Sequence, residues 1–129
     1  MNEIALAAIF CSLIAGGEAE TRHGYSAGYD IHSIRVDCET LTEVFEVGLD
    51  KRSALDSLQQ ALFAAHLTGK KPVILMIDTD GRNGPYETRI KAAADMVGVE
   101  YRRMTYDFLI RWQMTSWLRN YTPTPPPGL

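Results

Sequence analysis

The chain predicts an α/β fold, a mixed sheet with helices on both faces, and three observations carry that reading. Val73-Ile74-Leu75-Met76-Ile77 is an unbroken apolar run of strand length, as a strand buried on both faces requires. Residues 34–49 hold two segments that alternate apolar and polar positions around a short loop, the pattern of a hairpin. Amphipathic segments of helical length, closed by Gly69 and Gly98, flank the apolar run.

The elements follow in order. Residues 2–15 form an apolar, Ala-rich helix ended by Gly16-Gly17. Residues 20–25 make a short first strand, and Ser26-Ala27-Gly28 turns into strands over 30–38 and 43–49. Ser53 is the expected N-cap of the next helix, with Asp56 three residues on as a weak capping box. That helix runs to Leu67, with Leu55, Leu58, Leu62 and Ala65 expected on its buried side. After the apolar strand, 78–84 is a loop and Pro85 opens a helix that reaches Val97. Residues 99–104 alternate as a last strand, and 106–119 form a final helix with Trp112 and Trp117. The order is α-β-β-β-α-β-α-β-α. The domain is expected over 1–121, with 122–129 a loose Pro-rich tail.

Composition bounds the function. At 129 residues, 46% hydrophobic and 22% charged, the chain is one ordinary globular domain. The net charge of −3 hides an asymmetry: up to residue 50 only Arg22 and Arg35 stand against nine acids. From Lys51 onward eleven basic residues face seven acids. Metal-binding acids are therefore sought in the first part and phosphate-facing cations in the second. Cys11 and Cys38 make no disulfide framework and are expected as buried free thiols in a cytoplasmic chain. The alternative is export, because 4–15 has signal-peptide length, and a Cys11–Cys38 bridge would belong to that case. Against it, Met1-Asn2-Glu3 carries no Lys or Arg. The run is too short to span a bilayer.

The chemistry concentrates in the hairpin. Closing it over 40–43 pairs Val36 with Val47 and Cys38 with Phe45 on the apolar face, and Asp37 with Glu46 on the other. Facing residues lie roughly 4.5–5.5 Å apart between Cβ atoms, where like charges destabilise. A divalent cation held between the two carboxylates removes that repulsion. An ordinary solvent face, neutralised by Arg35, is the competing reading.

This order of elements, with Asp37 in Arg35-Val36-Asp37 and Glu46 in Phe45-Glu46-Val47, resembles the PD-(D/E)xK nuclease superfamily. The resemblance covers residues 2–104 and implies a restriction-endonuclease-like αβββαβ core. It implies that Asp37 and Glu46, helped by the Val47 carbonyl and by Glu20, bind Mg²⁺ or Mn²⁺ for phosphodiester hydrolysis. Glu18 is the alternate to Glu20. Gln59, followed four residues later by Phe63, matches the Gln and aromatic that related nucleases carry on the helix after the third strand. The superfamily's lysine position, two after the second acid, is Gly48 here; Lys51 is the substitute the resemblance suggests, with Arg52 behind it. Arg22 and Arg35 are candidates for phosphate contacts.

The expectation is a metal-dependent nuclease acting on nucleic acid, DNA before RNA, with no membrane partner and a homodimer as an option for cutting two strands. The alternative is an inactive nuclease-like scaffold that binds a protein or nucleic acid. Asp78-Thr79-Asp80-Gly81 offers two further acids at a strand end but reads as turn chemistry. His23, His32 and His66 have no metal-ligand spacing. Lys70, Lys71, Arg102 and Arg103 suit a nucleic-acid surface if the fold clusters them.

Overall fold

The computed structural model describes residues 2–120. The Asn2 side chain accepts the Ala5 N–H at 2.8 Å and starts α1 (Glu3–Ile9), which continues as a π-helical turn over Phe10–Ala15. Then come β1 (Glu18–Ala27), β2 (Asp30–Glu39), β3 (Glu43–Leu49), α2 (Leu55–Thr68), β4 (Lys71–Asp78) and α3 (Pro85–Met96). β5 (Glu100–Thr105), α4 (Tyr106–Met114) and α5 (Ser116–Arg119) complete the described chain. The sheet runs β1-β2-β3-β4-β5, with β1 to β3 antiparallel and β3 to β5 parallel. Parallel neighbours need crossovers, and α2 and α3 supply them. The α/β class and the order of elements are those the sequence predicts.

The helices cover both faces. On one, Leu6, Phe10 and Leu109 pack on Phe45, Val47, Val73, Leu75 and Ile77. On the other, Ala61, Ile90 and Ala94 pack on Ile74 and Met76. β4 is therefore buried from Val73 to Asp78, which explains its unbroken apolar run. No helix among the described residues is long and apolar enough to cross a membrane.

Several local expectations are corrected. In α2, Leu55 is 62% and Leu62 38% exposed, while Ala61 and Ala64 are fully buried. The helix lies so close to the sheet that only small side chains fit beneath it: a Cβ on Gly48 would stand 3.2 Å from the Ala54 Cβ. Leu55 and Leu62 turn outward, while Leu58 packs partly buried against the cluster of Ile74 and Met76. The N-cap of α2 is Ala54, with no side-chain cap; Ser53 Oγ accepts only a long bond from Leu55 N–H, 3.4 Å. The final helix divides at Thr115 into α4 and α5. The Pro-rich segment 122–129 lies outside the described residues.

The cysteines are also corrected. Cys11 and Cys38 are joined by a disulfide, their Cα atoms 5.5 Å apart, at a sequence separation of 27. Two isolated cysteines carry no pairing signal in sequence; the fold brings them together by laying the end of α1 on β2. We expect the Cys11→Ser/Cys38→Ser double variant to lose about 2–4 kcal/mol of unfolding free energy. Urea denaturation beside the oxidised parent reads this, and an unchanged midpoint would contradict the bridge.

Candidate metal centre

The antiparallel ladder between β2 and β3 holds only Cys38↔Phe45 and Glu39↔Val44. Its next rung would place Asp37 opposite Glu46, as the sequence register has it. The strands part there instead, and Asp37 Oδ2 accepts the Val47 N–H at 2.8 Å. The cause lies in the facing of β2. Val36 packs with Val44 and Ala64 beneath α2, whereas Cys38 packs with Phe45 and Val47 on the opposite face. Alternation slips between them, so the expected Val36–Val47 pair does not form. On β1, Glu20 sits between the Ala19↔Cys38 and Thr21↔Val36 pairs and has φ 55, a left-handed conformation rare outside glycine. The distortion crosses two strands at one level.

This break leaves Glu46 buried beside Asp37. Its side chain is 2% exposed, and Oε1 has no hydrogen-bond partner among the described residues. Burial pushes its carboxyl up to about 9, with the charge of Asp37 adding to the rise and Arg35 opposing it. A buried carboxyl oxygen without a partner is costly, and a cation or a proton relieves it. The N–H and C=O of a strand residue project to the same edge, so the Val47 carbonyl also faces the opened side. Two carboxylates and a carbonyl are hard oxygen donors of the kind Mg²⁺ and Mn²⁺ take. The residues fit such an ion.

The surroundings sort the other expected residues. Asp37 shares a recess with Arg22, Ser33, Ile34, Arg35 and Gln60. Gln59 lies in the adjoining recess, with Tyr25, Ile34, Gln60 and Phe63, so Gln60, and not the expected Gln59, shares the recess of Asp37. Glu20 stands 3.8 Å from Arg35 and, with Glu18, lines a neighbouring recess with Thr21, His23 and Lys70, which shares Arg22 with the recess of Asp37. No group of three ligand atoms within 4.8 Å unites Glu20 with Asp37 and Glu46 among the described residues. Lys51 is exposed and lines a recess with Leu6, Leu49, Thr79 and Tyr106, which shares no residue with that of Asp37. Arg52 pairs with Glu3. Gly48, beneath Ala54, leaves no room for a lysine without moving α2.

A second acidic cluster competes. Ligand atoms of Asp50, Asp78, Asp80 and Glu87 lie within 4.8 Å of one another. Here the partners are in place: Arg103 donates to Asp78 at 2.6 Å and to Glu87 at 2.7 Å. Asp78 Oδ1 accepts the Asp80 and Gly81 N–H groups, the turn chemistry the sequence suggests. Asp50 accepts both the N–H and the hydroxyl of Thr79. Burial raises Asp50, but these bonds outweigh it and hold the group below its usual value; burial raises Asp78. Arg103 is the one cation paired with these four carboxylates among the described residues, and the group could also hold a metal ion.

The other basic residues are similarly engaged. Lys70 pairs with Glu39, Lys71 with Glu100, and Arg102 with Glu43. The expected basic surface of Lys70, Lys71, Arg102 and Arg103 is therefore not a set of free cations. Glu39 also accepts from Thr21 and meets His23 at 2.5 Å. Burial raises Glu39, but Lys70, Thr21 and His23 together bring it down to about 2.

The two glutamates set opposite pH dependences. Between about pH 4.5 and 9 the folded chain keeps the Glu46 proton that the unfolded chain has lost, so this group's stabilisation falls as pH rises. The slope approaches about 1.4 kcal/mol per pH unit inside that window. Glu39 acts the other way, its contribution being lost as pH falls from 4.5 through 2. Without metal, Glu46→Gln should gain stability over the parent steadily from pH 5 to 8. A pH-independent difference in thermal midpoint would contradict the buried, protonated Glu46.

Compared with known proteins, the chain matches no family model, no curated protein and no solved structure, and the reading of its site rests on its own residues.

Proposed function

We propose that this protein is a metal-dependent phosphodiesterase acting on nucleic acid, with its reaction centre in the gap between Asp37 and Glu46. The observation that carries the reading is the buried Glu46 oxygen without a partner beside a second carboxylate. The resemblance to the PD-(D/E)xK superfamily supports it through element order and through the position of these two acids on the second and third strands.

Asp37, Glu46 and the Val47 carbonyl would hold Mg²⁺ or Mn²⁺. When bound there, such an ion supplies an acidified water and polarises a phosphate oxygen. Asp37 keeps its orientation through the Val47 N–H, so a ligand carboxylate is positioned before the ion arrives. Arg22 and Arg35, in the same recess, would bind the phosphodiester and offset charge gathering on it. Gln60 would orient the water or a phosphate oxygen from α2. Glu20 would join only through a rotation that frees it from Arg35. Lys51 has no part in this arrangement, and the arginines take the cationic role. DNA is the favoured substrate, and a homodimer would serve cuts in both strands.

One observation favours a second reading, a nuclease-like scaffold without activity. The lysine position is filled by a glycine that α2 covers. On that reading the acids bind an ion but nothing in the recess drives hydrolysis. As for compartment, the Cys11–Cys38 bridge is the kind of bond that persists in oxidising surroundings, but Cys11 lies within residues 4–15 and packs in the core, so the bridge argues against removal of that segment as a signal.

Incubation with linear, supercoiled, branched and single-stranded DNA, and with RNA, in Mg²⁺ or Mn²⁺ tests the proposal. Cleavage by the parent, reduced to background in Asp37→Ala and in Glu46→Ala, is expected. Cleavage retained in either variant would remove the assignment. Absence of cleavage on every substrate, with Mn²⁺ still bound, would favour the scaffold.

A further inference from the structure

Next to the acid gap lies a chain of rings that none of the core clusters contains. Tyr25 of β1 stacks on His32 of β2, with centroids 5.6 Å apart and planes at 27°. Phe63 of α2 meets Tyr25 edge-on at 4.8 Å and 81°, and stacks on His66 at 6.1 Å and 26°. Tyr25 and Phe63 are half-buried, while His32 and His66 are exposed. His32 lies on this surface and not in the core.

The rings and the acids share a floor. Ile34 and Gln60 line both the recess that holds Tyr25 and Phe63 and the recess that holds Asp37, Arg22 and Arg35. Rings, amides, guanidinium groups and carboxylates thus follow one another along adjoining recesses. Arg22 forms no ion pair among the described residues, and Arg35 meets only Glu20, at 3.8 Å. Arg22 is thus unpaired among the described residues, and Arg35 is held only by this long contact.

We propose that this surface binds an unpaired nucleotide: Tyr25 and Phe63 receive the base, Arg22 and Arg35 the phosphate, and the adjoining phosphodiester falls at Asp37 and Glu46. The substrate class is therefore single-stranded nucleic acid or a single-stranded branch. A base within a duplex has its faces covered by its neighbours, so a platform of rings selects bases that are unstacked. Stacking tolerates any base, so the preference concerns strandedness and not sequence. The placement of the reacting phosphate rests on the function proposed above; the binding of the base does not.

Fluorescence anisotropy of labelled oligonucleotides in EDTA, where no cleavage occurs, tests the platform. The parent should bind a short single strand about tenfold or more tightly than a blunt duplex of equal length. Phe63→Leu, which keeps apolar volume but loses the ring, should weaken single-strand binding by about five- to tenfold and leave duplex binding unchanged. Tyr25→Leu provides the same test if Phe63→Leu lowers the melting temperature. Equal affinity of the parent for single strand and duplex, or parental single-strand affinity in a folded ring variant, would overturn the platform. If Asp37-dependent cleavage accompanies that result, the catalytic reading survives alone. If single-strand preference stands without cleavage on any substrate, the catalytic reading fails alone. DNA and RNA strands run in parallel distinguish the two sources of the nucleotide.

Discussion

Asp37 takes the Val47 N–H where the ladder would have given it a backbone carbonyl, and the site follows from that exchange. Antiparallel strands normally satisfy each other's backbone, rung by rung. Here one carboxylate satisfies the N–H where the β2–β3 ladder ends. Glu46 is then buried, and no donor among the described residues reaches Oε1. Neighbouring features fit around this separation: the slip of β2 between two core clusters, the left-handed Glu20 and the recess carrying Arg22 and Arg35. The disulfide ties Cys38, one residue beyond the break, to the end of α1. The distortion thus sits on a rung fixed from below.

The two acidic groups of the fold show why proximity of carboxylates is a weak guide. Asp50, Asp78, Asp80 and Glu87 are more numerous, yet Arg103, Thr79 and the backbone of the turn hydrogen-bond to them. Asp37 and Glu46 are only two, and one of them has a buried oxygen with nothing to bind. A satisfied network rigidifies a fold. An unsatisfied buried acid is the better indication of a ligand.

The order of strands and helices was legible because hydrophobic periodicity and glycine punctuation were strong: the Val73–Ile77 run, Gly69, Pro85 and Gly98 all fall where the structure uses them. The nearness of Asp37 and Glu46 could be read from the hairpin register, although the rung that would pair them does not form. What escaped was tertiary. Alternation alone cannot reveal the slip that sends Val36 and Cys38 to opposite faces. Leucine outranks alanine in any burial scale, yet close approach of α2 to Gly48 buries Ala61 and Ala64 and exposes Leu55. Gln59 and Gln60 are adjacent in sequence, and the phase of α2 on the sheet decides which one lines the recess of Asp37. Arg103, a residue of β5, reaches acids on β4 and α3 that no local spacing connects with it. The ring surface had one readable trace, Phe63 four residues after Gln59. Tyr25 and His32 join it only through strand pairing, where they stand opposite each other.

The most direct measurement of the central claim is the position of Mn²⁺ in crystals soaked with the ion, located by its anomalous scattering. The account predicts a peak between Asp37, Glu46 and the Val47 carbonyl. A peak among Asp50, Asp78, Asp80 and Glu87, or no peak beside a Glu46 that remains buried, would contradict it.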